Sequence, residues 1–207
     1  QGLSIEHVHT PAGRFSYTYQ SGTSRVDDVS HTGNKYLVER VWNTTDGLLE
    51  SIQGKANGSL TAKYEYAYDS LRRRISVHQT GSMFSPYGTY GLVTTYGYNN
   101  RNELTGARTY EGDVNGYPIN EILQGRHYTF SYDNGGNWTN ASVDNYQPNG
   151  YSANDLNQIS KRFEPDFIGV SGFANAEPAV KVVMGDSSGS TPTETFRKGK
   201  YFYGKWP

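Results

Sequence analysis

The chain has 207 residues, a formal net charge of −1 and a mean hydropathy of −0.75. Its 19 basic residues against 20 acidic ones speak against a nucleic-acid binder, which usually carries a basic stripe. The absence of cysteine excludes cysteine nucleophiles and cysteine-type zinc sites, and no apolar run approaches the roughly 18 residues of a membrane span.

The 18 Tyr and 24 Gly favour many short strands and turns, and no long window carries a helical period. Residues 1–14 read as an N-terminal strand or the continuation of an upstream repeat. His7 and His9 share a strand face there, but zinc needs a third ligand that the sequence does not offer, so surface histidines are the simpler reading.

From residue 15 one pattern recurs: alternating aromatics, then Asp or Asn, a short turn and an aliphatic exit. The fullest copies begin at Tyr64, Tyr66, Tyr68 and Asp69, leading to Ile75; at Tyr96, Tyr98 and Asn99, leading to Leu104; and at Phe130, Tyr132, Asp133 and Gly135, leading to Trp138. Weaker copies are Phe15–Gly22, Val38–Leu48 with Asn43 in the Asp slot, and Tyr151–Ile159. The anchor aromatics Tyr19, Trp42, Tyr68, Tyr98 and Tyr132 lie 23, 26, 30 and 34 residues apart, so the unit is regular and the connections vary.

Each unit has a mechanical reading. Period-two alternation puts Tyr64, Tyr66 and Tyr68 on one strand face. Asp or Asn starts a turn by bonding the backbone two residues on, and Gly47, Gly135 and Gly136 tolerate the positive φ of tight turns. The exit residues Leu48, Ile75, Leu104 and Trp138 are expected on the buried face. The run Arg72-Arg73-Arg74 reads as a solvated turn.

These motifs resemble the YD repeats of the Rhs family, also found in the C components of Tc toxins and in teneurins. Tyr68-Asp69 through Ile75 and Tyr132-Asp133-Asn134-Gly135 match best, and the likeness spans about residues 15 to 160. It implies a spiralling ribbon of stacked β-hairpins that builds a hollow shell, enclosing polypeptide cargo or displayed at a cell surface. Its partners would be further repeats of the same or a larger polypeptide, and this chain would be a processed product or a stretch of that polypeptide.

Near residue 160 the grammar changes. Phe167–Ala174 alternates apolar and small residues, Pro178–Met184 reads as a strand, Gly185–Pro192 as a loop, and Thr195–Tyr203 as a hairpin pair. Residues 161–207 therefore read as the first strands of a β-sandwich-like module, too short for a complete sandwich of about 100 residues. Open sheet edges invite strand pairing between subunits.

No catalytic set converges in the sequence. Recurrence of Asp69 and Asp133 in equivalent slots implies a turn role. Glu111-Gly112-Asp113-Val114-Asn115-Gly116 is loosely similar to a calcium loop but lacks its bidentate Glu, and a plain Asn-Gly turn is preferred. Sequons at Asn43, Asn57, Asn137 and Asn140 would be glycan sites only in a secreted eukaryotic chain. Tyr87, Tyr90, Tyr110, Tyr117 and Tyr146 lie between repeats, where packing competes with contacts to glycans or proteins. The reading is an all-β, non-enzymatic, extracellular or cell-surface scaffold without metal or cofactor. Its rivals are a filament or adhesin subunit that self-associates through β edges, and a carbohydrate-binding surface protein.

Overall fold

The structure, a computed structural model, describes residues 4–144, 149–163, 167–175 and 194–206. The expected strand Pro178–Met184, the loop Gly185–Pro192 and Tyr146 lie outside the described residues. The fold is all-β, and the chain divides into two compact units, Gln1–Ser85 and Pro86–Pro207.

The first unit is an antiparallel meander in chain order. Its strands are β1 (His7–Thr10), β2 (Gly13–Tyr19), β3 (Val26–His31), β4 (Tyr36–Trp42), β5 (Leu49–Ala56), β6 (Ser59–Tyr68) and β7 (Arg74–Thr80). Period-two alternation sorts its side chains onto two faces. Arg40, Ile52 and Tyr64 pair across strands on one, beside Tyr66 opposite Val77. Asp28, Glu39, Gln53, Lys63 and Thr80 line up on the other. On that polar row Lys55 bonds Glu39 at 2.6 Å and, first among the causes, holds its carboxyl below the usual range. Burial, aided by Glu39 across the strand pair, pushes the Asp28 carboxyl up.

The second unit continues with the same topology through β8 (Leu92–Tyr98), β9 (Leu104–Gly112), β10 (Pro118–Tyr132), β11 (Trp138–Val143), β12 (Asn149–Ala153) and β13 (Ile159–Arg162). A separate small sheet follows. It consists of β14 (Ile168–Phe173), β15 (Glu194–Lys198) and β16 (Tyr201–Trp206), with β16 in the middle. The Thr195–Tyr203 hairpin reading corresponds to β15 and β16, which pair antiparallel.

Most of the described apolar core lies in the second unit. Tyr87, Leu92, Val93, Leu123, Tyr201, Tyr203 and Trp206 are buried there, against Val77 and Phe84 in the first. A bulge in β10 explains this concentration. Ile122 pairs with Tyr110 but His127 pairs with Arg108, so Leu123-Gln124-Gly125-Arg126 loops out of the ladder. The Tyr201 hydroxyl donates to the Gln124 carbonyl at 2.7 Å, and the Arg126 guanidinium donates to the Tyr87 hydroxyl at 2.5 Å while lying over its ring.

Candidate functional site

The recurring turns are the best-defined constellation in the chain. Five of them, starting at Asp69, Asn99, Asp113, Asp133 and Asn154, share one five-residue hydrogen-bond pattern. The first N–H donates to the fifth carbonyl at 2.9–3.0 Å, and the fourth N–H donates to the first carbonyl at 2.9–3.2 Å. The first side chain's Oδ1 accepts from the N–H of the fifth residue, at 2.8–3.1 Å, and from that of the third. In four of the five, the fifth side chain closes the loop back onto the first: Arg73 on Asp69, Glu103 on Asn99, Asn137 on Asp133 and Gln158 on Asn154. The fourth residue has positive φ, between 59° and 84°, and is Arg72, Asn102, Gly116, Gly136 or Asn157. Asn and Gly tolerate that region best, so Arg72 is the strained member.

The loop at Glu111–Gly116 is thus a turn of the repeat type. Asp113 Oδ1 accepts from Asn115 and Tyr117, and Glu111 pairs with Lys198 at 3.0 Å, so its oxygens serve the fold. The three arginines of Arg72-Arg73-Arg74 divide their roles. Arg72 supplies the positive φ, Arg73 binds Asp69 at 2.7 Å, and Arg74 lies 4.0 Å over the Tyr66 ring.

A bulge accompanies the turn. The register slips between Val41 and Trp42, Ala67 and Tyr68, Gly97 and Tyr98, Ser131 and Tyr132, and Ser152 and Ala153. This corrects the expected burial of the exit residues. Arg74, not Ile75, sits opposite Tyr68; Ile75 is the extra residue of the bulge and is 39% exposed. Trp138 sits opposite Tyr132 but is 43% exposed, with its ring stacked on Phe130 and edge-on to Tyr151. Leu104, opposite Tyr98, is half-buried.

Three of the anchor aromatics join their repeat to the previous one. Tyr68 donates its hydroxyl to the Leu49 carbonyl at 2.8 Å, and Leu49 is the residue paired with the preceding anchor, Trp42. Tyr132 does the same to Leu104, the partner of Tyr98, at 2.8 Å. Trp42 uses its indole N–H on Val26, the partner of Tyr19, at 3.3 Å. Turns also touch directly: Arg101 donates to the Asp133 carbonyl, and Asn137 to Asn157. Tyr132→Phe deletes one such staple while keeping the ring. It is expected to cost about 0.5–1.5 kcal/mol, read as an earlier urea midpoint with unchanged slope.

The carboxylate turns carry a charge signature. At Asp69 burial pushes the carboxyl up, but the main-chain and side-chain bonds and the charge of Arg73 outweigh it and hold the pKa below the usual range. At Asp133 the Asn137 side chain, then the N–H groups of Asn137, Gly135 and Gly136, lower it. A carboxylate whose folded pKa is depressed stabilises the fold above its unfolded value, about 3.9, and that stability is lost as pH falls through the folded value. Asp133→Asn should keep the turn, since Asn99 and Asn154 build it natively. It should also flatten the fall in melting temperature between about pH 4 and pH 2. An unchanged acid profile would contradict this role.

A second polar cluster clamps the β10 bulge. Asp144 accepts from the Gly125 N–H at 2.5 Å and donates its own N–H to the His127 carbonyl at 2.7 Å. Burial pushes the Asp144 carboxyl up; burial, then the Arg108 charge, pushes the His127 imidazole down. Both of these Asp144 bonds go to the main chain of the bulge and its exit.

The remaining sequence candidates are dispersed. His7 and His9 are exposed on β1, and no group of three His, Cys, Asp or Glu that could hold a metal occurs among the described residues. Asn43 and Asn137, two of the sequon residues, use their side chains inside turns. Tyr87 is buried, Tyr110 half-buried, and Tyr90 and Tyr117 exposed.

No family model matches the chain, and no curated protein matches it. Solved structures similar in fold include the crystal structure of TcdB2-TccC3-TEV and the Photorhabdus luminescens Tc holotoxin pore with a mutant TccC3. Each aligns at 18% identity with a TM-score of 0.53, over 72% of this chain and 8% of the other. The chain therefore spans a small part of those proteins, and what it shares with these toxin-complex components is a fold, an all-β stack of antiparallel hairpins.

Proposed function

We propose that this chain is a stretch of a non-enzymatic, extracellular YD-repeat scaffold, in which residues 15–160 form the wall and residues 161–207 begin a separate small β module. The observation that carries this is the repeated unit of turn, bulge and staple. Four of the five turns close side chain on side chain, and three anchors reach back one repeat, a pattern that extends a ribbon; among the described residues it converges on no reactive centre. The structures of similar fold are of toxin-complex components, which supports a wall around cargo over a free-standing enzyme. Electron microscopy of the native, untagged material tests it. Hollow particles larger than this chain are expected; compact solid particles, or a hydrolytic activity removed by one substitution in residues 15–160, would refute it.

One observation favours a second reading, assembly through open edges. The described residues of β1 and β13, each at the end of its meander, are exposed throughout. Regular fibres in the same images would select that reading, and a monomer at high concentration by light scattering would remove it.

A further inference from the structure

Of the five histidines only His127 falls in the second unit, and it is 7% exposed where the β10 bulge returns to the ladder. Arg108, its partner on β9, donates its Nε–H to the imidazole Nε2 at 3.2 Å. A guanidinium only donates, so Nε2 holds a lone pair and the ring is neutral, with its proton on Nδ1. Asp144, just after β11, donates its N–H to the His127 carbonyl and accepts from Gly125 inside the bulge. With the ring neutral, the Arg108 cation and the Asp144 anion balance. A proton added to Nε2 removes the lone pair that Arg108 uses. It also sets two cations against each other and leaves the cluster with a net positive charge. The other groups that face this cluster are Lys205 and Tyr201 from β16, Arg126 on β10 itself and Tyr87 ahead of β8; two are cations and none is a second carboxylate.

The same bulge carries the small sheet. The Tyr201 hydroxyl donates to the Gln124 carbonyl, Arg126 lies over the Tyr201 ring, and the Tyr203 ring lies against Gly125. We propose that His127 is an acid-sensitive latch, whose protonation opens the β10 bulge and loosens the small sheet from the meander. Burial, then Arg108, holds the His127 pKa below its ordinary value. Its contribution to stability is therefore complete above the unfolded value, about 6.5, and is lost as pH falls from there to the folded value. Asp144 acts the other way. Burial raises its carboxyl, so ionisation costs stability, and that cost is relieved as pH falls through the folded value toward about 3.9. The loss thus belongs to mildly acid solution, below about pH 6.5. The inference is independent of the scaffold reading.

Nuclear magnetic resonance on the full chain tests it. The His127 ring should titrate below about 6.5. Protection of the Gly125 amide and of the β16 amides, each relative to the unstructured exchange rate at the same pH, should fall at least about fivefold from about pH 7.5 to about pH 5.5, with β5 and β6 unchanged. In His127→Gln, whose amide oxygen can accept from Arg108 but takes no proton, the fall should disappear. A ring that titrates at or above about 6.5 would overturn the proposal. So would protection that stays level across this range, a loss shared equally by β5 and β6, or an undiminished loss in folded His127→Gln. If that variant does not fold, the ring titration and the exchange of the parent chain decide.

Discussion

Replacing Gly125 with alanine is expected to cost about 3 kcal/mol or more of stability. Gly125 sits at φ 79° inside the β10 bulge, where a side chain is strained whatever the space. Space is also absent: a Cβ would stand 2.6 Å from the Tyr203 ring and 3.1 Å from the Tyr201 hydroxyl. Those two rings belong to β16, the central strand of the small sheet, and both are buried. The same glycine donates its N–H to Asp144, so displacement also opens the clamp. The variant should lose the near-UV signal of buried Tyr201 and Trp206 at a lower temperature than it loses strand signal. A melting temperature within one degree or so of the parent would show that the small sheet does not depend on the bulge.

Asn99→Ala is the second large effect. It removes the acceptor for the N–H groups of Arg101 and Glu103 and the amide that holds Glu103 at 2.6 Å. The turn keeps its main-chain bonds, but two N–H donors lose their partner. The cost should resemble deletion of a helix N-cap, which plays the same role, at about 1–2 kcal/mol. Loss should spread to Asp133, because Arg101 is held by Glu103 at 2.9 Å and donates to the Asp133 carbonyl. Coupling is therefore expected between Asn99→Ala and Asp133→Ala in a double-mutant cycle, and strict additivity would argue that the turns are independent.

Much of the repeat was legible because two local signals coincide in it. Tyr64, Tyr66 and Tyr68 announce a strand by alternation, and Asp69 announces where it turns; Asn154 gave the degenerate last copy the same way. The Asp113 turn was read as a plain Asn-Gly turn and not as one of the repeat turns, because Glu111-Gly112 precede it instead of aromatics, although Asp113 with Gly116 three residues on was the same chemistry. The bulges were illegible. Counting from the turn put Ile75 on the buried face, whereas one extra residue opposite Ala67 and Tyr68 makes Ile75 the bulged residue and sets Arg74, itself exposed, opposite Tyr68. A slip of one residue flips a side chain to the other face and leaves no mark in the composition. The clamp on β10 was hidden for a different reason. Gln124-Gly125-Arg126 looks like ordinary strand or loop sequence, and its meaning depends on Asp144 and on Tyr201 and Tyr203 far along the chain.

One locally closed turn, repeated, organises this protein. Native-state hydrogen exchange of the backbone amides tests it most directly. The amide at the fifth position of each turn (Arg73, Glu103, Tyr117, Asn137 and Gln158) donates to the first side chain. All five should exchange slowly, with protection close to that of neighbouring strand amides. Rapid exchange at these five positions while the strands stay protected would show that the turns are passive connections, and the account would fail.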